Sequence, residues 1–136
     1  MCRFRETTFE LLGGVTELNF NKLNWGDDEA VQLAEVLPLC TSATQLSLQN
    51  NRNISDRGAK ALAAAFAEGA MPKLEALWLH NNQIGDEGAV ALAEAVGKGA
   101  LPELKVLNLF DNKLSQTAKD AWKAVEAKRS GLGVHF

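Results

Sequence analysis

The sequence predicts an α/β fold: a short curved parallel sheet, built as a solenoid, with its helices on the convex side. An apolar motif recurs at intervals of 28, 31 and 30 residues, beginning at Leu18, Leu46, Leu77 and Leu107. A period of roughly 20 to 50 residues indicates a stacked array. Each copy is followed by apolar residues three and four positions apart, which is helical spacing. Because neither a strand nor a helix buries its apolar side alone, the units must stack.

The strands are predicted from apolar residues two positions apart, the spacing of a strand with one buried face. These pairs are Leu18 and Phe20, Leu46 and Leu48, Leu77 and Leu79, and Leu107 and Leu109. A helix joins each strand to the next, so the strands are predicted to be parallel. The four predicted strand–helix repeats span residues 15–42, 43–73, 74–103 and 104–129.

The two ends of the sheet need cover, because an open edge strand is a template for pairing with other chains. Residues 1–14 are predicted to cover the first edge as an N-terminal cap or partial repeat. At the other end Leu132, Val134 and Phe136 alternate with other residues, which predicts a closing strand within 130–136.

Polar residues recur between strand and helix. Asn51, Asn82 and Asn112 hold equivalent positions, and an asparagine side chain carries an acceptor and two donors. We therefore expect these side chains to bond backbone groups of neighbouring turns. Ser55 and Ser115 are predicted to begin helices, since serine is favoured at that position.

The pattern L-x-x-L-x-L-x-x-N-x-I/L-x-D-x-G-A-x-x-L-A is matched from Leu74 through Ala93 and closely from Ala43 through Ala63. It resembles the leucine-rich repeat of the ribonuclease-inhibitor type, which also occurs in cytosolic immune receptors, tropomodulin-like actin-capping proteins and the GTPase activator of Ran. The resemblance implies a leucine-rich-repeat solenoid over most of the chain. It leaves the function open, because these relatives share a scaffold and little else. Gln116 and Ala118 depart from the pattern, as is typical of terminal copies.

Composition favours a cytoplasmic protein. The hydrophobic content of 46% supplies a core, and the chain has neither an apolar run of membrane length nor a signal peptide. A net charge of −3 gives no indication of nucleic acid or an anionic membrane as partner. Two cysteines imply no disulfide framework, and Cys40 is expected to be a buried thiol.

Enzyme chemistry finds little support in the sequence. His80 could approach Asp111 on the next turn, but no serine or cysteine nucleophile is predicted within reach. His80 and His135 are the only histidines, and no cysteine or histidine spacing matches a metal site. We expect no catalysis, no metal and no cofactor.

Function is predicted on the concave face, where strand side chains point away from the helices. Trp78, His80, Val106 and Phe110 form an aromatic and apolar cluster that the repeat itself does not need to bury. With the polar residues Asn108, Gln49 and Ser47 they make up the predicted partner-binding set. The alternative is that the cluster packs against the chain's own C-terminal segment or serves an oligomer contact. Trp25 and Trp122 are predicted core residues instead.

The favoured function is a non-enzymatic module that binds a protein partner of unspecified identity. Two alternatives stay open. The resemblance implies one of them, a GTPase-activating protein of the Ran-directed type, and the other is a structural subunit of a larger assembly. We expect a monomer unless the chain is part of such a complex.

Overall fold

The computed structural model describes residues 14–136, so the cap predicted for residues 1–14 lies, apart from Gly14, outside the described residues. Five strands form one sheet in chain order, and every neighbouring pair is parallel. The strands are β1 (Glu17–Asn19), β2 (Gln45–Ser47), β3 (Ala76–Trp78), β4 (Val106–Asn108) and β5 (Gly133–His135). The predicted α/β solenoid with a parallel sheet is confirmed.

A helix follows each of the first four strands. The helices are α1 (Asp27–Val36), α2 (Asp56–Ala67), α3 (Asp86–Gly97) and α4 (Gln116–Lys128), with a short 3-10 helix at Leu37–Leu39. Each of the four packs against the next along the chain. In the part of the chain that the structure describes, no helix is both long enough and apolar enough to cross a lipid bilayer.

The core lies between the sheet and the helices. The middle residues of the strands are paired in register and all are buried: Leu18, Leu46, Leu77, Leu107 and Val134. The periodicity of the sequence therefore predicted the core face of every strand correctly. The predicted core residues Trp25 and Trp122 are also buried. The Trp122 indole N–H donates to the carbonyl of Ala89 in α3 at 3.0 Å, which satisfies its polar atom inside the core.

Cys40 is buried in this core as a free thiol, as predicted. Its Sγ lies 3.7 Å from the carbonyl oxygen of Val36, to which the thiol donates. Burial raises the pKa of the Cys40 thiol, because the charged thiolate is poorly solvated there. It is therefore a structural cysteine.

The predicted asparagine ladder is confirmed. The buried Asn82 accepts a hydrogen bond from the backbone N–H of Asn51 at 2.9 Å and donates to the carbonyls of Leu48 and Leu79. Asn51 and Asn112 make equivalent bonds to their own and preceding turns. The ladder thus satisfies the backbone where the chain leaves the sheet.

The helix starts at Ser55 and Ser115 are confirmed, but these serines do not cap their own helices. Each hydroxyl instead donates to an aspartate of the preceding repeat, Ser55 to Asp27 and Ser115 to Asp86. The same aspartates accept the backbone N–H of the two serines. The helix N-termini are therefore capped from one repeat to the next, a contact that the preference of serine for this position does not reveal.

The strand β5 lies inside the predicted closing segment 130–136 and pairs with β4. Leu132 and Val134 are buried, and the backbone N–H of Gly133 donates to the carbonyl of Lys105 at 2.9 Å. The boundaries of the repeats stay predictions.

Candidate functional site

The inner face is the side of the sheet that faces away from the helices. Side chains alternate along a strand, so the residues on either side of the buried middle residue point to the inner face. Strand register arranges them in two rows. The first row holds Glu17, Gln45, Ala76, Val106 and Gly133, and the second holds Asn19, Ser47, Trp78, Asn108 and His135.

A third row lies just beyond the carboxyl ends of the strands. The parallel pairing continues there, because the N–H of Lys22 donates to Gln49 and the N–H of Asn81 donates to Phe110. The N–H of Asn50 donates to the carbonyl of His80 at 3.1 Å. The third row therefore holds Asn21, Gln49, His80 and Phe110.

All of the predicted partner-binding residues lie on the inner face. Trp78 is placed between Ser47 and Asn108 in the second row. In the third row His80 lies between Gln49 and Phe110, and Val106 lies in the first row beside Ala76. The structure brings the set together as one surface, here called the inner patch: Ser47, Gln49, Trp78, His80, Val106, Asn108 and Phe110.

Phe110 is the most prominent apolar group of the inner patch, with 54% of its surface exposed. Trp78 and His80 are partly buried, and their rings meet edge to face with centroids 6.4 Å apart. Strand β5 pairs with β4 and leaves Phe110 uncovered. Trp78 therefore packs against His80, whereas Phe110 is open to solvent.

The surroundings of His80 favour its neutral form. Burial lowers its pKa below the usual value, and the carboxylate of Asp111 opposes that shift only in part. The Nδ1 atom is buried and has no hydrogen-bond partner among the described residues. A neutral imidazole at this position can accept a hydrogen bond on its free nitrogen.

Asn108 has a structural role in addition to its place in the inner patch. Its Oδ1 accepts the backbone N–H of Phe110 at 2.9 Å, and Asn19 makes the equivalent contact with Asn21 at 3.2 Å. The Asn108 side chain thus fixes the backbone that carries Phe110, with its acceptor already engaged.

Two residues near the patch were not assigned to it from the sequence. His135 is exposed beside Asn108 in the second row, and Asp111 acts on His80 from the turn that follows β4. The alternation of Leu132, Val134 and Phe136 contained the signal for His135, because it implies that the residues between them face the other way. Among the described residues, no group of three or more histidine, cysteine, aspartate or glutamate side chains could hold a metal ion.

Comparisons with known proteins agree with this architecture. A family model described as "Leucine Rich repeat" matches residues 40–63 and 70–93. Together with the observed stack of strand–helix units, this match supports a leucine-rich repeat architecture. No curated protein sequence matches the chain significantly.

Two solved structures are similar in fold. One is titled "Leiomodin-1 Actin-Binding Site 2", with a TM-score of 0.80 and 21% identity, covering 96% of this chain and 76% of that one. The other is the tropomodulin C-terminal domain of Caenorhabditis elegans, with a TM-score of 0.77 and 18% identity, covering 96% and 82%. At these identities the likeness is one of fold.

Proposed function

We propose that the chain is a protein-interaction module that binds a protein partner through the inner patch. The observation that carries this proposal is the exposure of Phe110, 54% of whose surface is open on the face opposite the core. Of the described large hydrophobic residues, only Leu23 is similarly exposed, and it lies in the loop after β1. An exposed aromatic beside a tryptophan is typical of an interaction site.

The architecture supports this use of the inner face. The strands hold Trp78 and Asn108 side by side in register, so the patch is presented by a hydrogen-bonded sheet and needs little ordering on binding. The leiomodin-1 structure, which has the same fold, is titled as an actin-binding site. A protein partner is therefore a reasonable expectation for this chain, and actin is the first defined protein to test.

The experiment is affinity capture with the full chain as bait, followed by binding measurements with purified actin and with each captured protein. Trp78→Ala and Phe110→Ala should each weaken binding by about 2 kcal/mol, or roughly 30-fold. Leu23→Ala is the matched control, because it also removes an exposed apolar side chain but lies off the inner patch. A partner that binds the double variant W78A/F110A as tightly as the unaltered chain would reject the inner patch as the site.

A further inference from the structure

The third row of the inner face contains three unpaired polar atoms on neighbouring strand ends: two amide oxygens and a ring nitrogen, which accepts a hydrogen bond when the neutral imidazole carries its proton on Nε2. Buried and without a partner among the described residues are Asn21 Oδ1, Gln49 Oε1 and His80 Nδ1. A buried acceptor without a partner costs about 1–3 kcal/mol, so native proteins rarely keep several in one row without a use for them.

The second row differs. Its asparagines Asn19 and Asn108 already accept backbone N–H groups two residues further along the chain. On the described inner face the unpaired atoms are therefore confined to the row that also carries Phe110. The fourth such atom among the described residues, Gln32 Oε1, belongs to helix α1. The atoms themselves are buried, but Asn21, Gln49 and His80 are only partly buried as residues. Small side-chain rotations would therefore bring these atoms to a bound molecule that supplies the missing donors.

The charges on the inner face itself favour a cation, and Arg52, which lines a cavity together with Asp111, lies outside the three rows. Asp111 follows Phe110, and its carboxylate acts on the His80 ring. In the three rows of the described inner face the only residue of fixed charge is Glu17, which is also negative. The rings of Trp78 and Phe110 add two aromatic surfaces, and such surfaces attract a cation placed over them.

We propose that the third row is an arginine-binding site, in which a guanidinium group of the protein partner donates to Gln49 Oε1 and His80 Nδ1 and pairs with Asp111. This inference rests on the proposed function and names the chemistry that the inner patch selects. A guanidinium fits because it is planar, carries five N–H donors and stacks on aromatic rings. An ammonium group has three donors on a compact charge and does not stack, so lysine is expected to bind less well. Asn21, further along the row, accepts a second donor from the same partner segment.

The test is an NMR titration of the isotope-labelled full chain with acetyl-Gly-Arg-Gly-amide. Signals of the Trp78 indole N–H and the Gln49 side-chain amide should shift and saturate. The citrulline peptide has nearly the same shape without the charge, and it should bind at least about tenfold more weakly. The lysine peptide should fall between the two.

Two variants sharpen the test. Asp111→Asn keeps the size of the side chain and, with asparagine's tolerance of the left-handed backbone at φ 57, should weaken arginine binding at least about threefold. Glu17→Gln is the matched control, because it removes a carboxylate from the same face in a different row and should leave binding unchanged.

Equal binding of the arginine and citrulline peptides would overturn the proposal, as would equal binding of the lysine peptide. An E17Q effect as large as that of D111N would also overturn it, since the attraction would then be a property of the whole face. The titration uses no protein partner, so its failure leaves the capture experiment with W78A and F110A untouched. Conversely, failure of that capture experiment does not change the peptide result.

Discussion

The carboxylate of Asp56 at the start of α2 accepts a hydrogen bond of 2.9 Å from the backbone N–H of Gly88, one repeat further along the chain. The same oxygen accepts the N–H of Gly85 at 2.7 Å. Asp27 makes the equivalent pair of bonds to Ser55 and Gly58. Each of these aspartates therefore fixes the first turn of the next helix, which couples neighbouring repeats.

Loss of this contact should weaken the fold. Asp56→Ala leaves the N–H groups of Gly85 and Gly88 without their acceptor, and we expect the free energy of unfolding to fall by about 1–3 kcal/mol. Urea denaturation measures this free energy. Glu87→Ala is the control, because Glu87 makes only an exposed ion pair with Lys60 and should cost less than about 1 kcal/mol. If the two variants lose equal stability, the hydrogen bonds from Gly85 and Gly88 to Asp56 contribute no more than an exposed ion pair does.

The glycine at the third position of the helix is predicted to be irreplaceable. A Cβ at Gly88 would lie 2.8 Å from both Ala59 Cβ and Asp56 Oδ1, so Gly88→Ala should destabilise the protein although alanine favours helices. Gly97→Ala is the comparison, since its Cβ would meet only Val125 at 3.6 Å. We expect thermal melting to show a lowered midpoint for G88A and an unchanged or raised one for G97A. A melting temperature for G88A that matches or exceeds that of G97A would contradict this explanation.

Truncation of an asparagine in the ladder should also lower the stability of the protein. Asn82→Ala removes one acceptor and two donors from buried backbone partners, among them the N–H of Asn51 and the carbonyl of Leu79. A loss of at least about 1–3 kcal/mol in unfolding free energy is expected. Asn53→Ala is the control: because Asn53 is exposed, the unfolding free energy should change by less than about 0.5 kcal/mol. A small effect of N82A would mean that water replaces the side chain at little cost.

The titration of His80 follows from its surroundings. Burial lowers its pKa, so the NMR midpoint of its ring protons should lie below 6.5. Asp111→Asn should lower it further, because the carboxylate favours the charged ring. The unfolded chain binds the proton more readily, so His80 reduces stability as the pH falls below 6.5 towards its folded pKa, and this cost is absent above 6.5. A midpoint at or above 6.5 would show that the ring is better solvated than the structure indicates.

Sequence periodicity predicted the strands, the helices and the core because one repeat distance constrains all of them at once. Leu46, Leu77 and Leu107 had to stack once the intervals were recognised. The same register placed Trp78 and Phe110 on the face opposite the core, so the geometry of the patch was largely predictable.

The contacts between repeats were harder to predict. The position of Ser55 before a helix suggested that its hydroxyl caps that helix. Its hydroxyl instead donates to Asp27 of the preceding repeat, and only the packing of the two repeats reveals this contact. The recurrence of Asp56-Arg57-Gly58 as Asp86-Glu87-Gly88 was a visible signal. The N–H of each glycine lies close to the aspartate of the preceding repeat, Gly58 to Asp27 and Gly88 to Asp56, and a side chain at the glycine would clash there. The unpaired acceptors of Gln49 and His80 depend on side-chain conformation, which periodicity does not specify.

The central claim is that the inner patch carries binding and not stability. Isothermal titration of a purified partner with Phe110→Ala, paired with a thermal melt of the same variant, tests it most directly. The structure predicts about a 30-fold weaker Kd with a nearly unchanged melting temperature, because the ring is exposed. An unchanged Kd, or a weaker one explained by a large drop in melting temperature, would contradict it.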